Sequence, residues 1–270
     1  MRLAAKRILG LADRVVPTRN GVTILIYHRV GGGSGGEVDL DVDEFRRHLA
    51  HLRSTHRVVP IEKAAAALTN SNGERDESRN SSVVVTFDDG TADFVEHALP
   101  LLTEYEIPAT LYVATQFVES GEPFPWDAPP ASWGGLSEAL STGLVTIGSH
   151  THSHALLDRS EPGEIADELD RSIDLIQERL GVNPVHFAYP KALPGSSAAE
   201  GEVRRRFTTA ALARSRVNVA GQTDPHRLWR TPIQRSDGFE FFAAKAAGGM
   251  RLEGELRDLV ARVRYRNATR

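Results

Sequence analysis

Ser82-Val83-Val84-Val85-Thr86-Phe87-Asp88-Asp89-Gly90 is an apolar run that ends in two carboxylates and a glycine. A short β-branched run closed by a turn residue reads as a strand buried on both faces. Beyond it, residues 92–105 place Phe94, Ala98, Leu101 and Leu102 at helical spacing, and residues 108–114 are apolar again. Strand, helix, strand in that order predicts a parallel crossover. Working back toward the start, residues 21–30 predict one buried strand. Residues 43–52 predict a helix with Phe45, Leu49 and Leu52 on one face and Asp41 or Asp43 as its cap. Residues 56–61 suit a short strand and residues 62–68 an alanine-rich helix. Working forward, strands are predicted over 144–148, 185–189, 207–212 and 228–233, with a helix over 162–180 that carries Ile165, Leu169, Ile173, Ile176 and Leu180 and stops at Gly181. Residues 69–80 are polar, and residues 121–135 look irregular, with Trp126 and Trp133 among Pro and Gly. The alternation predicts an α/β architecture. No internal repeat and no dinucleotide- or phosphate-binding glycine signature interrupts it.

Composition narrows the chemistry. The chain has 270 residues, 40% hydrophobic and 25% charged, with a formal net charge of −4. That balance suits a globular domain with a sizeable core and argues against nucleic acid as the main partner. There is no Cys, which excludes disulfides, thiolate catalysis and Cys-bound zinc, so any metal must be held by His and carboxylates. No run reaches the ~18–20 apolar residues of a spanning helix. Residues 1–17 do not read as a secretion signal, because Lys6, Arg7 and Arg14 break the apolar stretch. Leu3, Ile8, Leu11 and Val15 recur at helical spacing instead. That stretch reads either as a basic amphipathic helix touching a membrane or as a helix packed on the domain. The expected organisation is an N-terminal helix over 1–20, a main domain over 21–245 and a basic helix over 246–270. The expected location is cytoplasmic, peripheral at the inner membrane face if the first helix meets lipid. Nothing in the sequence fixes the oligomeric state.

Two clusters carry chemistry. Asp88 and Asp89 stand where a strand ends, the position at which α/β barrels place active sites. Successive side chains of a strand point to opposite faces until the backbone turns, so the pair can take different roles; the alternative is an ordinary Asp-Gly turn. Gly148-Ser149-His150-Thr151-His152-Ser153-His154 puts three of the chain's ten His within five residues, again after an apolar strand. His150 and His154 are four apart, so one helical turn would align them. With one carboxylate, two neutral imidazoles make a metal site that leaves room for water; the alternative is a solvated polar loop.

These residues resemble a known family. Thr86-Phe87-Asp88-Asp89-Gly90 resembles the T-F-D-D-G motif of the polysaccharide deacetylases (NodB-homology domain, carbohydrate esterase family 4). The run from His150 to His154 is similar to their His-containing metal motif, Phe187-Ala188-Tyr189-Pro190 to the F-A-Y-P form of the third motif, and Pro108-Ala109-Thr110-Leu111-Tyr112-Val113 to their P-A-T-F-F-V strand. The resemblance runs from about residue 24 to 242. It implies a distorted (β/α) barrel of about seven strands. Asp89, His150 and His154 would hold zinc, or another divalent ion such as Co2+, Ni2+ or Mn2+, and Asp88 would be the base. The implied reaction is removal of N-acetyl groups from an amino-sugar-containing glycan or glycolipid.

Departures from the family pattern sharpen the expectations. Ala188 stands where the third motif usually has Arg, and Lys191 stands where an aromatic residue is common, leaving its backbone N–H for an oxyanion. The late L-x-H motif that supplies the acid is missing; His226 does not match it. Tyr27-His28-Arg29-Val30 resembles a Y-H-x-V branch in which His28 would serve as the acid. Leu228-Trp229-Arg230-Thr231-Pro232-Ile233 resembles that branch's R-[IT]-P-[IV] strand, and Arg230 would supply the cation beside Asp88. Trp126, Asp127 and Trp133 would line a sugar cleft, and His152 is read as a structural neighbour. Two other functions compete: a metal-dependent amidase for a small non-sugar amide, and a degenerate glycan-binding module.

Overall fold

The computed structural model describes residues 20–69, 81–252 and 254. The helix expected over 1–20, the polar stretch over 70–80 and most of the basic tail over 246–270 lie outside the described residues.

Residues of a strand alternate between faces, and in this chain the alternation sorts two layers. Along β1 (Val22–Tyr27) and β5 (Ser82–Phe87), Ile24 and Val84 join an inner cluster with Tyr112, Ala188 and Ala211. Leu25, Tyr27, Val83, Val85 and Phe87 join the outer core beneath the helices. Between β1 and β5 come a two-stranded pair, β2 (Arg29–Val30) with β3 (Asp39–Leu40), and the short β4 (Arg57–Val58). After β5 follow β6 (Ala109–Val113), β7 (Val145–Ser149), β8 (His186–Ala188), β9 (Thr209–Ala213) and β10 (Leu228–Pro232). β5 through β10 pair in sequence, all parallel, and β1 closes the ring by pairing with both β10 and β5. The result is a closed seven-stranded parallel barrel with surrounding helices. β4 takes the side of β5 at Ser82 and Val83 that β6 takes from Val85 onward.

Helix Ile61–Thr69 follows β4 and buries Ile61, Ala64 and Leu68 against the inner cluster. It lies across the end of the barrel where the strands begin, and Glu62 reaches Thr146 near the start of β7. The outer layer is dominated by helix Val42–Thr55, whose Phe45, Leu49 and Leu52 are fully buried, and by helix Pro162–Leu180. The latter begins in a capping box between Glu161 and Glu164 and ends on Gly181 at φ 70°, a left-handed cap that suits Gly.

Several expected elements differ. The strand expected over 21–30 breaks at His28, because Arg29 and Val30 turn away to pair with Asp39 and Leu40. Of the strand expected over 56–61, only Arg57–Val58 pairs. The helix expected over 92–105 opens with a π turn at Phe94–Ala98 before Leu99–Glu104. Pro100 has no N–H to offer the carbonyl four residues back, and the Leu99 N–H reaches Phe94 O instead. The region expected to be irregular contains helix Trp133–Ser141, capped by Ser132. Helices Thr115–Ser120 and Ser197–Arg206 carry no clear apolar period in the sequence.

Candidate active site at the barrel mouth

The inner face of β5 continues past its last paired residue: Val84 lies in the inner cluster, Thr86 is buried beside Arg230, and Asp88 follows two residues on. The Asp88 N–H donates to Tyr27 O, extending the β1–β5 ladder by one bond. Strict alternation would send Asp89 outward. Asp89 instead adopts φ 77° and Gly90 φ 90°, so the backbone reverses and both carboxylates face one site. A non-glycine residue in the left-handed region is costly and is held by its surroundings. Here Asp89 O accepts from the Ala114 N–H and Gly90 O from the Ala131 N–H.

On β7 the inner positions run Thr146, Gly148, His150. His150 is buried, and its Nδ1–H donates to Ala188 O at 2.7 Å. That bond fixes the tautomer and turns the Nε2 lone pair toward Asp89, 3.6 Å away. His154 Nε2 lies 3.4 Å from the same oxygen, Asp89 Oδ1. The two His are not aligned by a helical turn as expected. Residues 150–154 are a loop, and left-handed conformations at Thr151 (φ 64°) and His154 (φ 63°) fold His154 back over His150, with ring centroids 5.0 Å apart. One ligand atom from each of Asp89, His150 and His154 lies within 4.8 Å of the others. Two neutral imidazoles and one carboxylate suit a divalent transition metal.

Asp88 faces a different partner. Arg230, fully buried on β10, donates from Nη1 and Nη2 to the two Asp88 oxygens at 2.5 and 2.8 Å. The guanidinium also lies 5.1 Å above the Tyr112 ring, and its Nε–H reaches Leu212 O. Burial alone would raise the Asp88 pKa, but the charge and paired hydrogen bonds of Arg230 lead the effects that outweigh it and hold the carboxyl below its usual value. Asp89 is likewise penalised by burial and held lower still by the hydrogen bond from His154 and the nearby imidazoles. Burial pushes His150 down to about 4 despite the pull of Asp88 and Asp89, so its imidazole is neutral at pH 7 and available as a ligand.

The remaining expected residues are distributed around this centre. His28 sits at the strand break, half-buried, with its Nδ1 buried and without a hydrogen-bond partner among the described residues. Lys191 lies just past β8 in a left-handed conformation (φ 53°, ψ 12°). Its exposed side chain rests 4.6 Å over the Trp126 ring rather than on Asp88. Trp126 meets His154 edge-on at 5.6 Å. Trp133 packs on the outer core and donates to Glu119, so of the two expected cleft aromatics only Trp126 stands beside the imidazoles. Asp127 is exposed next to it. His226 donates from Nε2 to Phe207 O, and His152 pairs through Nδ1 with Thr115; neither joins the cluster. Sequence reasoning did not place Tyr112 at the site, although it stands in the segment similar to the family's P-A-T-F-F-V strand.

A site of this make-up at the C-terminal ends of parallel strands invites comparison with known proteins. Residues 75–203 match the family model described as polysaccharide deacetylase. Over that segment the chain is similar to the polysaccharide deacetylases. Among solved structures, the deacetylase PplD of Streptococcus pyogenes, in complex with acetate, superposes with a TM-score of 0.73 at 22% identity, covering 85% of this chain and 99% of that one. IcaB from Ammonifex degensii does so with a TM-score of 0.73 at 25% identity, covering 85% and 98%. The chitooligosaccharide deacetylase of Bradyrhizobium sp. (strain ANU 289) is 27% identical over 158 residues, 58% of this chain and 63% of the relative. The chain spans 27% to 63% of the length of the curated relatives it matches. Among the described residues, no helix is long and apolar enough to cross a membrane.

Proposed function

We propose that this protein is a metal-dependent hydrolase that removes N-acetyl groups from amino-sugar residues of a glycan or glycolipid. The observation that carries the reading is the convergence of Asp89, His150 and His154 beside an Arg230-held Asp88 at the mouth of the barrel. A divalent cation bound by the first three, zinc or else Co2+, Ni2+ or Mn2+, would supply Lewis acidity toward the acetamide carbonyl and toward water.

The chain's own residues divide the remaining work. Asp88 is ionised and takes the proton of the attacking water. Arg230 keeps it charged and aims its oxygens. The backbone N–H of Lys191 donates to the oxygen that gains charge as the carbonyl is attacked. His28, whose Nδ1 has no other partner, carries the proton to the departing amine nitrogen. Trp126 offers an aromatic face at the rim for a sugar ring. Atoms balance: the amide C–N bond breaks, the acyl carbon gains the water oxygen, and acetate and an amine leave.

The test combines elemental analysis with acetate release from an N-acetylglucosamine oligosaccharide. Purified protein should carry one transition metal, His150→Ala or His154→Ala should lose it, and a chelator should stop acetate release. Asp88→Asn should keep the metal and abolish turnover. Metal lost from Asp88→Asn instead would show that the two aspartates have exchanged roles, and a full metal complement in His154→Ala would reject the ligand set. The contact expected between residues 1–17 and the inner membrane face is a separate proposal; cosedimentation with anionic vesicles, lost on removing those residues, tests it.

A further inference from the structure

The loop that presents His150 and His154 has one bond of its own, from the Ala155 N–H to Thr151 Oγ1 at 3.1 Å, and is otherwise held from outside. Thr151 and His154 both sit in the left-handed region, and no helix spans the pair. What fastens the loop lies outside the barrel, on helix Pro162–Leu180. One Glu168 carboxylate oxygen accepts the backbone N–H of His152 at 3.0 Å and of Ser153 at 2.8 Å; the other accepts the Ser153 hydroxyl at 2.6 Å. Three donors from the segment between the two imidazoles therefore reach one side chain, and the His152 N–H is shared with the Glu168 backbone carbonyl at 3.1 Å. Glu168 itself is placed by the buried residues flanking it on the helix, Ile165 and Leu169, and by the Ser149–Ser172 hydroxyl contact, which ties the end of β7 to the same helix. On its other side the loop meets helix Thr115–Ser120, where the Thr115 and Gln116 N–H groups donate to Thr151 O and His152 O. The Thr115 hydroxyl also pairs with His152 Nδ1 at 3.0 Å. The loop is thus clamped from two directions, and Glu168 is the side chain that takes the backbone donors between the two imidazoles.

We infer that Glu168 is a positioning residue for the metal site, holding the angle between His150 and His154 without touching the ion. This rests on the metal reading of Asp89, His150 and His154. Residues that orient metal ligands typically cost ~10–100-fold in affinity when removed, so Glu168→Ala should weaken zinc binding by about that factor. Glu168→Gln should bind within a few-fold of the natural protein, because its amide oxygen still accepts the two N–H groups while the Ser153 hydroxyl rotates to accept from the amide nitrogen.

The experiment is zinc titration of the full chain against a competing chelator, with circular dichroism of each metal-free variant. Weak binding by Glu168→Ala, near-natural binding by Glu168→Gln and an unchanged metal-free spectrum are the expected results. If Glu168→Ala does not fold, Ser153→Ala removes one of the three bonds alone and should weaken zinc binding by a few-fold. Zinc affinity unchanged in Glu168→Ala, or in Ser153→Ala where that variant stands in, overturns the inference and leaves the metal site intact. Equal losses in the Ala and Gln variants would assign the effect to charge and overturn it too. A natural protein that binds no zinc, cobalt, nickel or manganese would sink the metal reading, and the inference with it.

Discussion

Replacing Arg230 with Met isolates the most heavily buried charge at the site. Arg230 is fully buried and Asp88 is 3% exposed, so the substitution leaves a carboxylate with neither water nor a counter-charge. Two charge-assisted hydrogen bonds to Asp88 disappear with it, along with the contact over Tyr112. Breaking a buried ion pair by removing one partner costs about 3–5 kcal/mol. Against a typical domain stability of ~5–15 kcal/mol, the variant should still fold but with a clearly lower urea midpoint. The companion Arg230→Met/Asp88→Asn double variant removes the stranded charge, and should recover about 2 kcal/mol or more of the loss, a coupling expected of residues in direct contact. The assay is urea unfolding of metal-free protein at pH 7, followed by circular dichroism, with the slope checked for constancy so that midpoint shifts report stability. A cost under about 1 kcal/mol for Arg230→Met, well below the range for a broken buried pair, would refute the view that this guanidinium is what keeps Asp88 charged.

Gly148→Ala should destabilise by about 1–3 kcal/mol through overpacking, since its methyl would meet Tyr112 Cδ1 at 2.6 Å and His186 O at 2.8 Å; thermal unfolding checks this, and Tyr112→Leu in the same chain should restore part of the loss. His28→Ala should cut the deacetylation rate by ~10²–10⁴ while elemental analysis finds the metal content unchanged; near-normal turnover would dismiss His28 as the acid. Burial drives His48 down to about 3 against the pull of Asp237, so the unfolded chain binds a proton between pH 6.5 and 3 that the folded chain does not. Stability from this group is therefore complete above about pH 6.5 and falls as pH drops, by about 2–3 kcal/mol at pH 4.5. Urea titrations of the natural protein and His48→Leu at pH 7 and 4.5 should show a shallower loss in the variant.

How much could be read from the residues depended on the range of the forces involved. The alternation of strand and helix was legible because burial on two faces leaves continuous apolar runs such as Ser82–Phe87, and residues two apart at a strand end share a face, as Val84, Thr86 and Asp88 do. Closure of the ring through β1 was legible only through the family resemblance, which implied a barrel, because pairing of residues 22 and 82 leaves no local trace. Nor was the route by which His150 and His154 meet: a helical turn and a loop with two left-handed residues bring positions four apart together equally well, and only the surroundings choose. Helix Trp133–Ser141 hid among Gly and Pro, and helix Ser197–Arg206 hid because it buries only Ala199 and Val203 and so shows no apolar stripe. Glu168 gave no sign, since one acidic residue on an amphipathic helix looks like any solvated position.

Among the described residues, helix Ile61–Thr69 packs Ile61, Ala64 and Leu68 over the end of the barrel where the strands begin and closes it there. If the substrate is the glycan proposed above, it cannot thread through such a body; it must lie across the rim, and the released acyl group must leave by the same door. Interior and end units of a long chain are then equally able to approach, so a preference between them has to be written in the loops that edge the opening.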